Sequence, residues 1–118
     1  MIVRIFSFLA VFAVAASGHA AEPSFDCAKA QASAEQLICR DDTLAALDRE
    51  TARLYRLART GPHATPARRK ELASYQVGWI KGRNDCWKAK DLRTCVLNNY
   101  VIRIHELRQG YADARTQD

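Results

Sequence analysis

The chain has 118 residues, 48% of them hydrophobic and 26% charged, with 18 Lys and Arg against 13 Asp and Glu and a formal net charge of +5. That length allows one small domain with a modest core and excludes a multidomain architecture. No internal repeat or low-complexity tract is present, so repeat arrays are excluded as well.

The chain opens with Met1-Ile2-Val3-Arg4, and an uncharged run follows from Ile5 to Ala16 through Phe6, Phe8, Leu9, Val11, Phe12 and Val14. This run is shorter than the about 20 apolar residues a spanning helix needs. Gly18-His19-Ala20 then supplies the small-x-small pattern that signal peptidase reads. Residues 1–20 are expected to be a secretory signal peptide, and residues 21–118 one exported domain, periplasmic or secreted, with no span left in a membrane. Removal of Arg4 lowers the net charge from +5 to +4. Cys27 follows Ser24-Phe25-Asp26, not a lipobox, so no lipid anchor is expected.

Four cysteines in an exported chain predict two disulfides. The spacings of Cys27, Cys39, Cys86 and Cys95 do not match the close ligand pairs of zinc sites, and no metal or cofactor is expected. Of the three pairings open to four cysteines, Cys27–Cys39 and Cys86–Cys95 are favoured because each closes a short loop at low entropic cost.

Helical periodicity dominates the rest. Ser33-Ala34-Glu35-Gln36 reads as a capping box that opens a short helix ending near Cys39. Asp41 or Asp42 caps a second helix to about Arg59, with Leu44, Leu47, Thr51, Leu54, Tyr55 and Ala58 at helical spacing. Gly61-Pro62-His63-Ala64-Thr65-Pro66 is a linker between helices. Thr65 caps and Pro66 starts a third helix carrying Leu72, Tyr75, Gln76 and Trp79 on one face and stopping near Asn84 or Cys86. Asp91 opens a fourth, with Val96, Leu97, Tyr100, Ile104, Leu107 and Tyr111 inward and Gly110 near its end. The predicted fold is all-α: a disulfide-stapled bundle of three main helices plus a short N-terminal one.

Two charges fall on apolar stripes, Asp48 on the second helix and Arg83 on the third, and each would be costly to bury alone. An antiparallel hairpin of these helices brings the two level, so a structural ion pair is expected, with Arg103 as a second candidate partner for Asp48. An enzyme is not expected. His19 leaves with the signal peptide, His63 lies in the linker, His105 points away from the inner stripe, and the thiols are oxidised, so no nucleophile and base come together. Arg49, Arg53 and Arg56 lie opposite the apolar stripe of the second helix, with only Glu50 placed to neutralise them. This strip is a candidate surface for an anionic partner such as lipopolysaccharide, acidic phospholipid or an acidic protein. Nucleic acid is not expected, because no aromatic platform interleaves the arginines.

The pattern resembles the LprI family of small exported helical proteins. The likeness runs through Ser24-Phe25-Asp26-Cys27-Ala28-Lys29-Ala30, Glu35, Ile38-Cys39, Leu44, Leu47-Asp48 and Tyr55. It resumes at Gln76, Trp79, Arg83 and Asp85-Cys86 and closes with Cys95, Tyr100, Arg103-Ile104 and Leu107. The resemblance implies an exported helical domain and, for at least one member, inhibition of a lysozyme; for this chain, occlusion of a lysozyme or related muramidase is the leading expectation. Long-range repulsion from a cationic lysozyme would leave such inhibition to short-range fit, with Asp41, Asp42 or Asp91 offered to the enzyme's cleft.

Overall fold

A computed structural model describes residues 22–115, and the expected signal peptide, residues 1–20, lies outside them. A turn of 3-10 helix at Cys27–Lys29 leads into α1 (Ser33–Ile38), α2 (Asp42–Thr60) and α3 (Pro66–Asn84). A second 3-10 turn, Asp85–Lys88, precedes α4 (Leu92–Gly110) and a final short helix, α5 (Ala112–Arg115). The described residues contain no strand.

The three long helices start where their capping side chains dictate. Asp41 accepts from the Leu44 amide at 3.1 Å, Thr65 from Arg68 at 3.1 Å, and Asp91 from Thr94 at 2.8 Å. Each satisfies an amide that has no partner within the first turn. The cap of α1 is displaced by one residue from the expected box: Ser33 is the first helical residue, and the Glu35 side chain reaches back to the Ala32 amide at 3.1 Å. Six residues of helix have little stability of their own. The Cys27–Cys39 disulfide just beyond α1 and the full burial of Ala34 and Ile38 hold it in place.

α2 and α4 make the most extensive contact and run in the same direction, as the successive cross-links Asp41–Arg93 and Glu50–Arg108 require. α3 runs the other way. The core falls into two clusters. One holds Ala34, Ile38, Leu44, Ala45, Cys86, Val96 and Tyr100; the other holds Leu54, Ala58, Leu72, Leu107 and Ala114. Along α2 the buried polar residues Asp48 and Thr51 separate the two, and along α4 buried Arg103 does so. Both disulfides, Cys27–Cys39 and Cys86–Cys95, lie at the end of the first cluster.

α3 departs from its expected packing. It buries only Leu72 and Arg83, while Tyr75, placed inward by the sequence stripe, is 52% exposed. Tyr111, expected on the fourth helix, stands one residue past its end and takes the Arg68 guanidinium 4.5 Å from its ring centroid. α5, which the sequence pattern did not indicate, closes the second cluster through Ala114 and turns Asp113 inward.

Gly61 ends α2 against that carboxylate. Its φ of −72° is open to any residue, but a Cβ there would overlap the Cβ and Cγ of Asp113. The glycine is required for space. Gly61→Ala should therefore lower stability by about 1–3 kcal/mol, the usual result of overpacking, whereas Gly78→Ala, at an open position, should gain from the better helix former. Urea midpoints of the two variants check this; equal loss at both sites would refute it.

Candidate functional site

The buried polar cluster forms where four segments meet. Asp48 of α2 is 4% exposed, and both its oxygens are occupied. Oδ1 accepts from the Tyr100 hydroxyl of α4 at 2.7 Å, and Oδ2 accepts from the amide and the hydroxyl of Ser24, each at 2.6 Å. Arg83 of α3, also 4% exposed, lies 3.6 Å from Asp48 Oδ1 and donates to the Tyr100 hydroxyl at 3.0 Å. The hydroxyl bridges guanidinium and carboxylate.

Aromatic rings complete the enclosure. The Arg83 guanidinium sits 5.5 Å from the ring centroid of Phe25 and 5.6 Å from that of Trp79. Trp79 meets Tyr100 edge-on at 5.2 Å and donates its indole N–H to the Asn99 carbonyl. Burial drives the Tyr100 phenol well above its ordinary pKa; the Arg83 charge opposes this and the Asp48 charge adds to it. The phenol therefore keeps its proton, donating to Asp48 while accepting from Arg83.

The other expected residues are placed differently. Arg103, the second candidate partner for Asp48, is 3% exposed but donates to Gln76 Oε1 at 2.9 Å and pairs with Glu106 at 3.3 Å. Its guanidinium also covers the Tyr75 ring at 4.5 Å, and its Nη2 is buried without a hydrogen bond. Arg103 lies about one turn beyond Tyr100 on α4, which carries it to Gln76 and away from Asp48.

The arginine strip is largely engaged. Arg53 binds Glu50 through two nitrogens at 2.8 and 2.6 Å, and Arg49 donates to the Glu22 carbonyl at 2.6 Å. Glu50 also takes Arg108 at 2.9 Å. Arg56 is exposed and makes no ion pair among the described residues.

The acidic groups expected to face an enzyme's cleft are also committed in part. Asp41 caps α2 and holds Arg93 at 2.8 Å, which keeps its carboxyl below the usual range, and Asp91 caps α4. Asp42 stays exposed in the first turn of α2.

Sequence reasoning missed the clamp between His63 and Asp113. Asp113 accepts from the His63 amide at 3.0 Å and lies 2.8 Å from its Nδ1, across a separation of 50 residues. The sequence placed Gly61 and His63 together in the linker, but their partner Asp113 comes from α5, which no sequence pattern indicated.

Comparison with known proteins adds to this geometry. The chain is similar to lipoprotein LprI. The likeness to the Mycobacterium bovis and Mycobacterium tuberculosis proteins is 32% identity over 84 residues, covering 71% of this chain and 40% of each relative. The chain thus matches well under half the length of the curated relatives. No family model matches the chain, and no solved structure does. An LprI-like relationship and two disulfides agree with an exported protein.

The polar cluster generates two predictions. Asp48→Ala should cost about 3–5 kcal/mol, because it strands the buried Arg83 guanidinium. Tyr100→Phe should cost about 1–3 kcal/mol, because it leaves Asp48 and Arg83 each short of one hydrogen bond. Denaturant unfolding checks both, and a loss under about 1 kcal/mol for Asp48→Ala would show the pair to be unimportant.

The Asp113 clamp predicts an acid response. The hydrogen bond from His63 holds the Asp113 carboxyl below its usual range. Its stabilisation is therefore complete above the unfolded value of about 3.9 and is lost as pH falls through the lower folded value. Asp113→Asn should flatten the stability curve in that acid window, read by thermal melts across pH; a curve parallel to wild type would refute it.

Proposed function

We propose that this chain is an exported, non-enzymatic LprI-like binding protein that occludes a lysozyme or related muramidase. The observation that carries this reading is the outer surface of α3. A 19-residue helix that buries only Leu72 and Arg83 leaves Tyr75, Val77 and Ile80 exposed at 52, 70 and 39%. These side chains point in different directions round α3, so they offer a partner separate apolar anchors on a stapled scaffold. The interior polar groups support the non-enzymatic part. Asp48, Tyr100 and Arg83 bind one another, and a carboxylate with both oxygens occupied is poorly placed to take a proton from a substrate.

Anionic-surface binding through Arg49, Arg53 and Arg56 receives less support, since two of the three are held by Glu50 and the Glu22 carbonyl. Inhibition is tested with residues 21–118, oxidised and purified, in a peptidoglycan clearance assay with a lysozyme. The expected result is saturable, stoichiometric loss of clearance, with no clearance by the chain alone. Because both proteins are cationic, added salt should leave the affinity unchanged or raise it. Full lysozyme activity at excess chain would discard the inhibitor reading for that enzyme.

A further inference from the structure

The N-terminal segment, α1, α2 and α3 line a cleft of about 230 Å³ above the Asp48 cluster. Sites for whole small ligands run to roughly 300–1,000 Å³, so this space suits one long side chain. Its walls are of two kinds. Phe25, Ala52, Trp79 and Ile80 are apolar or aromatic, whereas Glu35, Asp48, Gln76 and Arg83 are polar.

The charges of the lining do not match those of the chain. Asp48 and Arg83 neutralise each other 3.6 Å apart, so Glu35 leaves the cleft with a net negative charge in a chain of net charge +5. Glu35 Oε1 accepts from the Ala32 amide. Its second oxygen has no hydrogen-bond partner among the described residues.

We propose that this cleft receives one basic side chain, an arginine or lysine, from the protein that the chain binds. The alkyl stem lies along Trp79 and Ile80 and the charged head reaches Glu35, the way long cationic side chains cover apolar surface while keeping a polar contact. The assignment rests on the docking function proposed above, and it gives a basic protein a short-range attraction for a cationic partner. Opposite charges a few ångströms apart act within the screening length that weakens the repulsion between the two molecules as wholes.

The test uses the oxidised 21–118 chain and NMR of two reporters in the lining, the Trp79 indole N–H and the Gln76 side-chain amide. N-acetyl-arginine amide is titrated against its neutral analogue, N-acetyl-citrulline amide. Saturable shifts at both reporters with the arginine probe alone are expected. Glu35→Gln, which keeps an acceptor for the Ala32 amide, should weaken the response by about three- to fivefold, the range of a partly exposed ion pair. Ile80→Arg, which sets a resident guanidinium at the half-exposed wall, should abolish it. Circular dichroism checks that both variants fold.

Equal response to citrulline, or no saturable shift at Trp79 and Gln76, overturns the assignment. Lysozyme inhibition is measured with the same variants. Probe binding without lysozyme inhibition sinks the inhibitor reading and leaves the cleft standing. Inhibition at wild-type potency by both variants sinks the cleft and leaves the inhibitor reading standing.

Discussion

The Asp48 carboxylate is the constraint on which the fold turns. A charge taken out of water in a small domain costs several kcal/mol unless it is paired and hydrogen-bonded. Here its partners come from the N-terminal segment, α3 and α4, so its satisfaction requires all of them at once. Such a cluster need not make the protein more stable than an apolar replacement would, since desolvation offsets much of the attraction. What it supplies is register. α2 and α4 are parallel ladders of similar apolar residues, and sliding one past the other by a turn, about 5.4 Å, would bury Leu or Val almost as well while parting Asp48 from Tyr100.

The cleft and the cluster are consequences of the same arrangement. Ser24 binds Asp48 and Phe25 lies over Arg83, so the N-terminal segment forms one wall of the space and seals the charges beneath it. α3 contributes the opposite wall with Trp79 and Ile80. Between Leu72 and Arg83, the only buried residues of α3, Gln76 and Trp79 still turn toward α4, where they meet Arg103 and Tyr100, while Tyr75, Val77 and Ile80 are left exposed.

Much of this was legible in the sequence. Asp41, Thr65, Asp91 and Pro66 mark the helix starts because capping is a local interaction, decided within four residues. Asp48 and Arg83 were visible as charges interrupting apolar stripes. The bridging role of Tyr100 was not, because a tyrosine on an inner stripe reads as an apolar residue until something meets its hydroxyl. The outward turn of Tyr75 was hidden for a related reason: periodicity shows which residues share a face but not whether a neighbouring helix covers it. Glu50 was visible as a partner within the arginine strip and takes Arg53, but Arg49 looked free because its partner is a backbone carbonyl 27 residues away. α5 has four residues, too few for any period to register.

Both covalent links lie at the end of the first core cluster, whereas the far end is held by Ala114, the His63–Asp113 clamp and the Arg68 contact with Tyr111. The domain is consequently graded in its resistance to opening. Amides of α5 and the Gly61–Thr65 turn should exchange with solvent through partial openings that leave Asp48 enclosed, and those of α2 and α4 around Asp48 and Tyr100 only with the whole molecule. A protease would find its first cut at the unstapled end; a cut that removes α5 leaves the whole cleft lining on one fragment, whereas a cut in the Gly61–Thr65 turn divides that lining between two fragments that no disulfide joins.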